Sequence, residues 1–195
     1  HNPFEDNGIK FFDSKGSKLS DELEEQIEGF LDGPALTRDS TGLGKATRVD
    51  KSRVVYQEFC ASTMPPGMNL AGLKIVIDCA NGAAYKVAPR VLADLGAEII
   101  PIGCSPNGRN INLRCGSTAP ELLQLTVSGV GADVGIALDG DGDRLVMVDH
   151  LGRLVAVHEH HGARGLEGAE QLAQHVRLVA LLADEVDVFD RGIDG

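Results

Sequence analysis

The chain has 195 residues, 43% of them hydrophobic, with 24 glycines and only 4% aromatic side chains. That is enough apolar material for one large or two small domains, and it suits an α/β protein with many tight turns. A net charge of −11 excludes nucleic-acid binding as the main task, and no stretch approaches a membrane span or reads as a signal peptide.

Residues 1–70 read as one segment. His1-Asn2-Pro3 and Asp6-Asn7-Gly8 are turns, and residues 9–12 are a short strand candidate. Ser20 is a candidate helix N-cap, with Asp21 and Glu22 in the first turn. Leu23, Ile27, Phe30 and Leu31 then fall on one helical stripe, and Gly33-Pro34 stops the helix. Residues 34–48 read as loop and 49–62 as a second helix, ended by Pro65-Pro66-Gly67.

Residues 71–155 form a cleaner unit. The run 73–78 predicts a buried strand. Asn81-Gly82 turns the chain into a helix over about residues 83–95, closed by Gly96. Residues 97–102 are the next strand. Pro120 starts a further helix at a first-turn position, reaching about residue 130, and residues 132–138 are a third strand. This alternation predicts an α/β fold: a mixed, mainly parallel sheet with helices on both faces. In such sheets ligands collect beyond the carboxyl ends of the strands.

At that end stands Asp139-Gly140-Asp141-Gly142-Asp143-Arg144. Glycines between the acids let three carboxylates reach one point, and three anionic groups so close require a hard cation such as Mg²⁺ or Ca²⁺. An EF-hand fails on register. A loop starting at Asp139 puts Arg144 where glycine is required and His150 where a bidentate Glu is required. The flanks, 132–138 and 145–148, are apolar runs of strand length. A plain Asp-Gly hairpin turn needs one such pair, not three clustered acids. Arg144, directly after the cage, suggests a phosphate beside the cation.

The four cysteines (Cys60, Cys79, Cys104 and Cys115) have no CxxC spacing. They read as reduced thiols of a cytosolic protein, with Cys79 a small core residue. Residues 156–195 differ in kind: they lack Ser, Thr, Asn, Pro and Lys and hold four of the six histidines. Within them 172–189 could be helical. The histidines at 158, 160 and 161 form no complete metal site with a Cys or carboxylate pattern.

Several segments together resemble the bacterial phosphoglucosamine mutases of the α-D-phosphohexomutase superfamily. They are residues 1–12, beginning His1-Asn2-Pro3-Phe4, and 73–85, including Asp78-Cys79-Ala80-Asn81-Gly82. Pro106-Asn107-Gly108-Arg109-Asn110-Ile111-Asn112, Cys115-Gly116-Ser117-Thr118 and the Asp139–Arg144 loop complete the set. The likeness covers about residues 1–155. It implies that 1–70 is the end of phosphohexomutase domain I, incomplete here, and 71–155 is domain II with its metal loop; the tail at 156–195 diverges, and its change in composition suggests an out-of-frame segment. The implied reaction interconverts glucosamine 6-phosphate and glucosamine 1-phosphate, an isomerisation run through a phosphoserine and a sugar bisphosphate. Its product feeds amino-sugar nucleotides for peptidoglycan precursors in the cytoplasm. The implied cofactor is Mg²⁺ on Asp139, Asp141 and Asp143. Arg144 would neutralise the phosphoserine, and His1 and Lys10 would take part in proton transfer or phosphate contact.

The implied partner is a phosphosugar, with no nucleic acid and no membrane; oligomeric state is left open. The family's serine stands immediately before the His-Asn-Pro turn, ahead of His1, and the third and fourth domains lie beyond this sequence. The 195-residue chain alone is therefore expected to be inactive. Two alternatives stay open: a phosphomannomutase or phosphoglucomutase of the same superfamily, and a non-catalytic metal-binding fragment.

Overall fold

Five strands build one sheet in the computed structural model, which describes residues 2–155 apart from 7, 9, 10, 36, 38, 46, 47, 49 and 68. In chain order the strands are β1 (Lys74–Asp78), β2 (Glu98–Ile102), β3 (Val134–Leu138), β4 (Leu145–Asp149) and β5 (Leu154–Val155). Their spatial order is β2-β1-β3-β4-β5. β1 pairs in parallel with β2 and β3, whereas β3–β4 and β4–β5 are antiparallel. The α/β class with helices on both faces is as expected, and the sheet is mixed: three parallel strands followed by an antiparallel meander.

The helices are α1 (Asp21–Gly29), α2 (Ser52–Ser62), α3 (Ala88–Asp94) and α4 (Glu121–Val130). Strand alternation sorts the core into two layers. Ile75, Ile77, Ile136 and Met147 face α3 through Ala88 and Leu92. Val76, Ala137 and Val148 face α4 through Leu123 and Val127. Both central strands are thus buried on both faces, which explains why they read as unbroken apolar runs. Gly135 lets α4 come close: a Cβ there would lie 2.6 Å from Val127 Cγ2. α2 packs outside α3 through Tyr56, Cys60 and Val91.

The expected helix over 83–95 divides into a 3-10 turn at Ala83–Tyr85 and the shorter α3. Pro89 is the reason. It has no N–H to donate, and its ring would clash with the carbonyl of Tyr85 in a continuous helix. β5 was not legible as a strand. It is two residues long, held by a turn in which Asp149 accepts the Arg153 N–H at 2.9 Å and its Nε–H at 2.8 Å.

The N-terminal segment behaves differently. α1 begins after Ser20, but the Ser20 side chain makes no capping hydrogen bond to the backbone. It bonds to Glu22 instead, lowering that carboxyl's pKa. The apolar stripe forms yet buries no residue: Leu31 is 82% exposed and Phe30 63%. Of the 9–12 strand candidate, Ile9 and Lys10 lie outside the described residues, and Phe12 forms an isolated bridge with Lys18. The segment 156–195, with its helix candidate, also lies outside them. Among the described residues no helix is long and apolar enough to cross a membrane.

Candidate metal centre

Because β1, β2 and β3 run parallel, the segments that follow them emerge on the same edge. The acidic loop is the one after β3. Asp139 starts it by folding the backbone onto its own side chain, where Oδ1 accepts the N–H groups of Gly142 at 3.1 Å and Arg144 at 3.2 Å. Gly142 supplies the left-handed residue, φ +81°, that this reversal requires. The loop then returns as β4, so the three acids sit on a short hairpin connection.

The result is a triad of carboxylates. One oxygen each from Asp139, Asp141 and Asp143 lies within 4.8 Å of the others. Asp139 is buried at 3% exposure, Asp141 half-buried and Asp143 at the edge of exposure. Arg144 leans over them, its Nε 3.8 Å from Asp139 Oδ2 and 4.0 Å from Asp143 Oδ1. Its side chain is 67% exposed, so this long contact neutralises little of the triad's charge. Burial pushes the Asp139 carboxyl up to about 6, against the opposing Arg144 N–H, and the neighbouring Asp143 and Asp141 add to the rise. An all-oxygen donor set with one oxygen pair already desolvated could hold a divalent cation.

The ring of segments around the loop is close-packed. Gly82 abuts the loop so tightly that a Cβ there would overlap the Gly140 carbonyl, which accepts the Ala83 N–H at 2.8 Å. Asn81 and Ala80 both take φ +51°. Asn81 Oδ1 accepts the Ser105 N–H at 3.0 Å, so Asn81-Gly82 is a strand-to-helix turn that also backs the acidic loop. Asn110 braces the 105–112 segment, accepting from Asn107 N–H at 2.9 Å and donating to Ser105 O at 3.1 Å.

A cleft of about 480 Å³ opens beside the triad. Asn2, Phe4 and Gly8 line one wall, while Asn81, Gly82, Ala83, Tyr85, Pro106, Asn110 and Asp141 line the other. Arg109 lies over the Phe4 ring at 6.0 Å. The segment carrying the His-Asn-Pro turn therefore shares a cleft with the acidic loop. His1 and Lys10 themselves lie outside the described residues. Sequence reasoning did not single out Asp78, which is fully buried behind the loop. The available signal was a carboxylate closing an otherwise apolar strand.

A three-layer α/β domain that presents a triple-aspartate loop at the carboxyl edge of its parallel strands defines a metal-loop α/β class. Residues 56–152 match the family model for the phosphoglucomutase/phosphomannomutase alpha/beta/alpha domain II, and residues 1–36 match that for domain I. The chain belongs to the phosphoglucomutase/phosphomannomutase family. It is 57% identical over 153 residues to a phosphoglucosamine mutase of Cereibacter sphaeroides, covering 78% of this chain and 34% of that protein. Phosphoglucosamine mutases of Glaesserella parasuis and Chromobacterium violaceum are also 57% identical, over 155 and 154 residues; the matches cover 80% and 79% of this chain and 35% of each relative. A crystal structure of a phosphoglucomutase/phosphomannomutase family protein from Burkholderia thailandensis superposes with a TM-score of 0.51 at 28% identity. That match covers 70% of this chain and 29% of the other. The chain spans about a third of the length of the curated relatives it matches.

Proposed function

We propose that this chain is the domain I–domain II portion, divided at about residue 70, of a phosphoglucosamine mutase that interconverts glucosamine 6-phosphate and glucosamine 1-phosphate. The observation that carries this reading is the convergence of Asp139, Asp141 and Asp143 in a chain more than half identical to enzymes of that name. In the full-length enzyme a phosphoserine preceding His1 gives its phosphoryl group to a sugar hydroxyl. The serine Oγ–P bond breaks as the sugar O–P bond forms, and the hydroxyl proton passes to a base, for which Lys10 and His1 are the candidates. The bisphosphate then turns over and returns its other phosphoryl group to the serine.

The triad would hold Mg²⁺, which when bound neutralises charge on the phosphoryl oxygens. Asp139 anchors the site from the buried side, and Asp141 and Asp143 complete it towards the cleft. Arg144, exposed and always charged, is free to swing from its long contacts onto a phosphate. The cleft lined by Gly82, Tyr85, Pro106 and Ile111 would take the sugar beside the triad. The location that suits this chemistry is the cytoplasm, where sugar phosphates are made and used.

The test uses full-length protein carrying the upstream serine. Asp141→Ala is expected to raise the Mg²⁺ concentration for half-maximal rate by at least about tenfold, and unchanged Mg²⁺ dependence would overturn the assignment. A substrate panel of glucosamine, glucose and mannose phosphates separates this reading from the other mutases of the family. The 195-residue chain alone is expected to bind Mg²⁺ without turnover; turnover by it would reject the reading of the chain as a non-catalytic portion.

A further inference from the structure

Asp78 ends β1 with its carboxylate wholly buried and, among the described residues, with no cation paired to it. Burying a carboxylate is unfavourable unless its oxygens are hydrogen-bonded, so its place calls for a compensating role. Both oxygens are used by the backbone: Oδ1 accepts the Ala80 N–H at 2.9 Å and Oδ2 the Gly116 N–H at 2.8 Å. Gly103, after β2, leaves the room, since a Cβ there would overlap Asp78 Oδ1. One side chain thereby ties the turn after β1 to the 110–117 part of the segment that follows β2.

Those segments in turn grip the acidic loop on both sides of Asp139. Ser117, next to the pinned Gly116, donates its N–H to Leu138 O at 2.9 Å. Ala83, three residues beyond the pinned Ala80, donates to Gly140 O at 2.8 Å. Ala80 O accepts the Asn112 N–H at 2.9 Å, and the Ile111 and Asn112 side chains press on Gly140, where a Cβ would lie 2.7–2.8 Å from them. The carbonyls of Leu138 and Gly140, the residues on either side of Asp139, are thus held by hydrogen bonds from segments that Asp78 pins.

We propose that Asp78 is a positioning residue for the metal centre: by pinning Ala80 and Gly116 it holds the Leu138 and Gly140 carbonyls, and with them the Asp139 carboxylate, in the geometry the cation requires. This inference rests on the reading of the triad as a cation site. Its primary test is therefore made without metal.

In the metal-free 195-residue chain, Asp78→Asn keeps the volume but replaces one acceptor oxygen with a donor that faces an N–H. Amide hydrogen exchange at Gly142 and Arg144, whose N–H groups bond to Asp139, is expected to rise at least tenfold, while exchange at Ile136 and Met147 in β3 and β4 stays as in the parent. Unchanged exchange at Gly142 and Arg144 overturns the proposal, as does an equal rise in the two strands, which would mark a general loss of stability. Gly103→Ala, which presses a methyl group onto Asp78 Oδ1, is expected to give the same selective pattern and decides the matter if Asp78→Asn does not fold. Mn²⁺ titration followed by electron paramagnetic resonance is expected to show about tenfold weaker binding in either variant. Absence of Mn²⁺ binding by the parent chain would sink the cation reading and leave the exchange result to judge Asp78.

Discussion

The sheet domain and the N-terminal segment carry equally clear apolar patterns, but only one of them has a partner for its pattern. In the sheet domain, Ile75, Ile136, Leu123 and Met147 are all fully buried. In α1 and just past its end, Leu23 and Leu31 fall on the expected stripe and remain 46% and 82% exposed. Periodicity reports which face of an element is apolar; burial needs a second surface, and the described residues supply one for α3 and α4 and none for α1. Among the described residues, the burial that stabilises the fold is therefore concentrated in residues 56–155.

The sharpest way to break this contrast is to remove volume from the central strands. Ile136→Ala should cost about 2–5 kcal/mol, read as a lowered urea midpoint, and a cost below 1 kcal/mol would mean the sheet core is not where stability resides. Gly135→Ala pushes a methyl group into Val127 and Leu123; an overpacking loss of about 1–3 kcal/mol is expected by the same measurement.

The acidic loop gives a pH signature through a buried carboxyl, where the shifted group of α1, Glu22, is exposed and moves the other way. Asp139 has its carboxyl raised by burial to about 6 from an ordinary 3.8. Between those values the folded protein holds a proton that the unfolded chain has released. The contribution of this group to stability is therefore present at low pH and lost as pH rises through 6. With chelator present, the urea midpoint should gain from Asp139 between pH 7 and pH 5, and Asp139→Asn should remove that gain; equal pH profiles for the two proteins would contradict it. Cation binding runs the other way, because the proton competes for the same oxygens: Mg²⁺ affinity should fall as pH drops below 6. The smallest effect belongs to α1. Leu31→Ala should change stability by less than about 0.5 kcal/mol, and a core-sized loss would show that its stripe is covered after all.

Legibility followed the range of the forces involved. The acidic loop was readable because its ligands lie two residues apart on one hairpin connection, and the α/β alternation because each strand and helix carries its own period. The break in the helix expected over 83–95 is written in Pro89, which sits inside an apolar run that by itself predicts one continuous helix. β5 was too short to leave a pattern. Asp78 was invisible as a strut because its partner Gly116 lies 38 residues away.

Local chemistry, then, was set by residue order alone: glycines between acids allow three carboxylates to converge, and apolar spacing dictates which faces want cover. Where those faces meet was decided by the strand order β2-β1-β3, which brings the ends of three parallel strands to one edge. Only there can a buried carboxylate on β1 reach the backbone that carries the loop after β3. The physical reason is that hydrogen bonds and packing act over a few ångströms, so contacts between distant residues exist only once the chain has been folded to bring them within that reach.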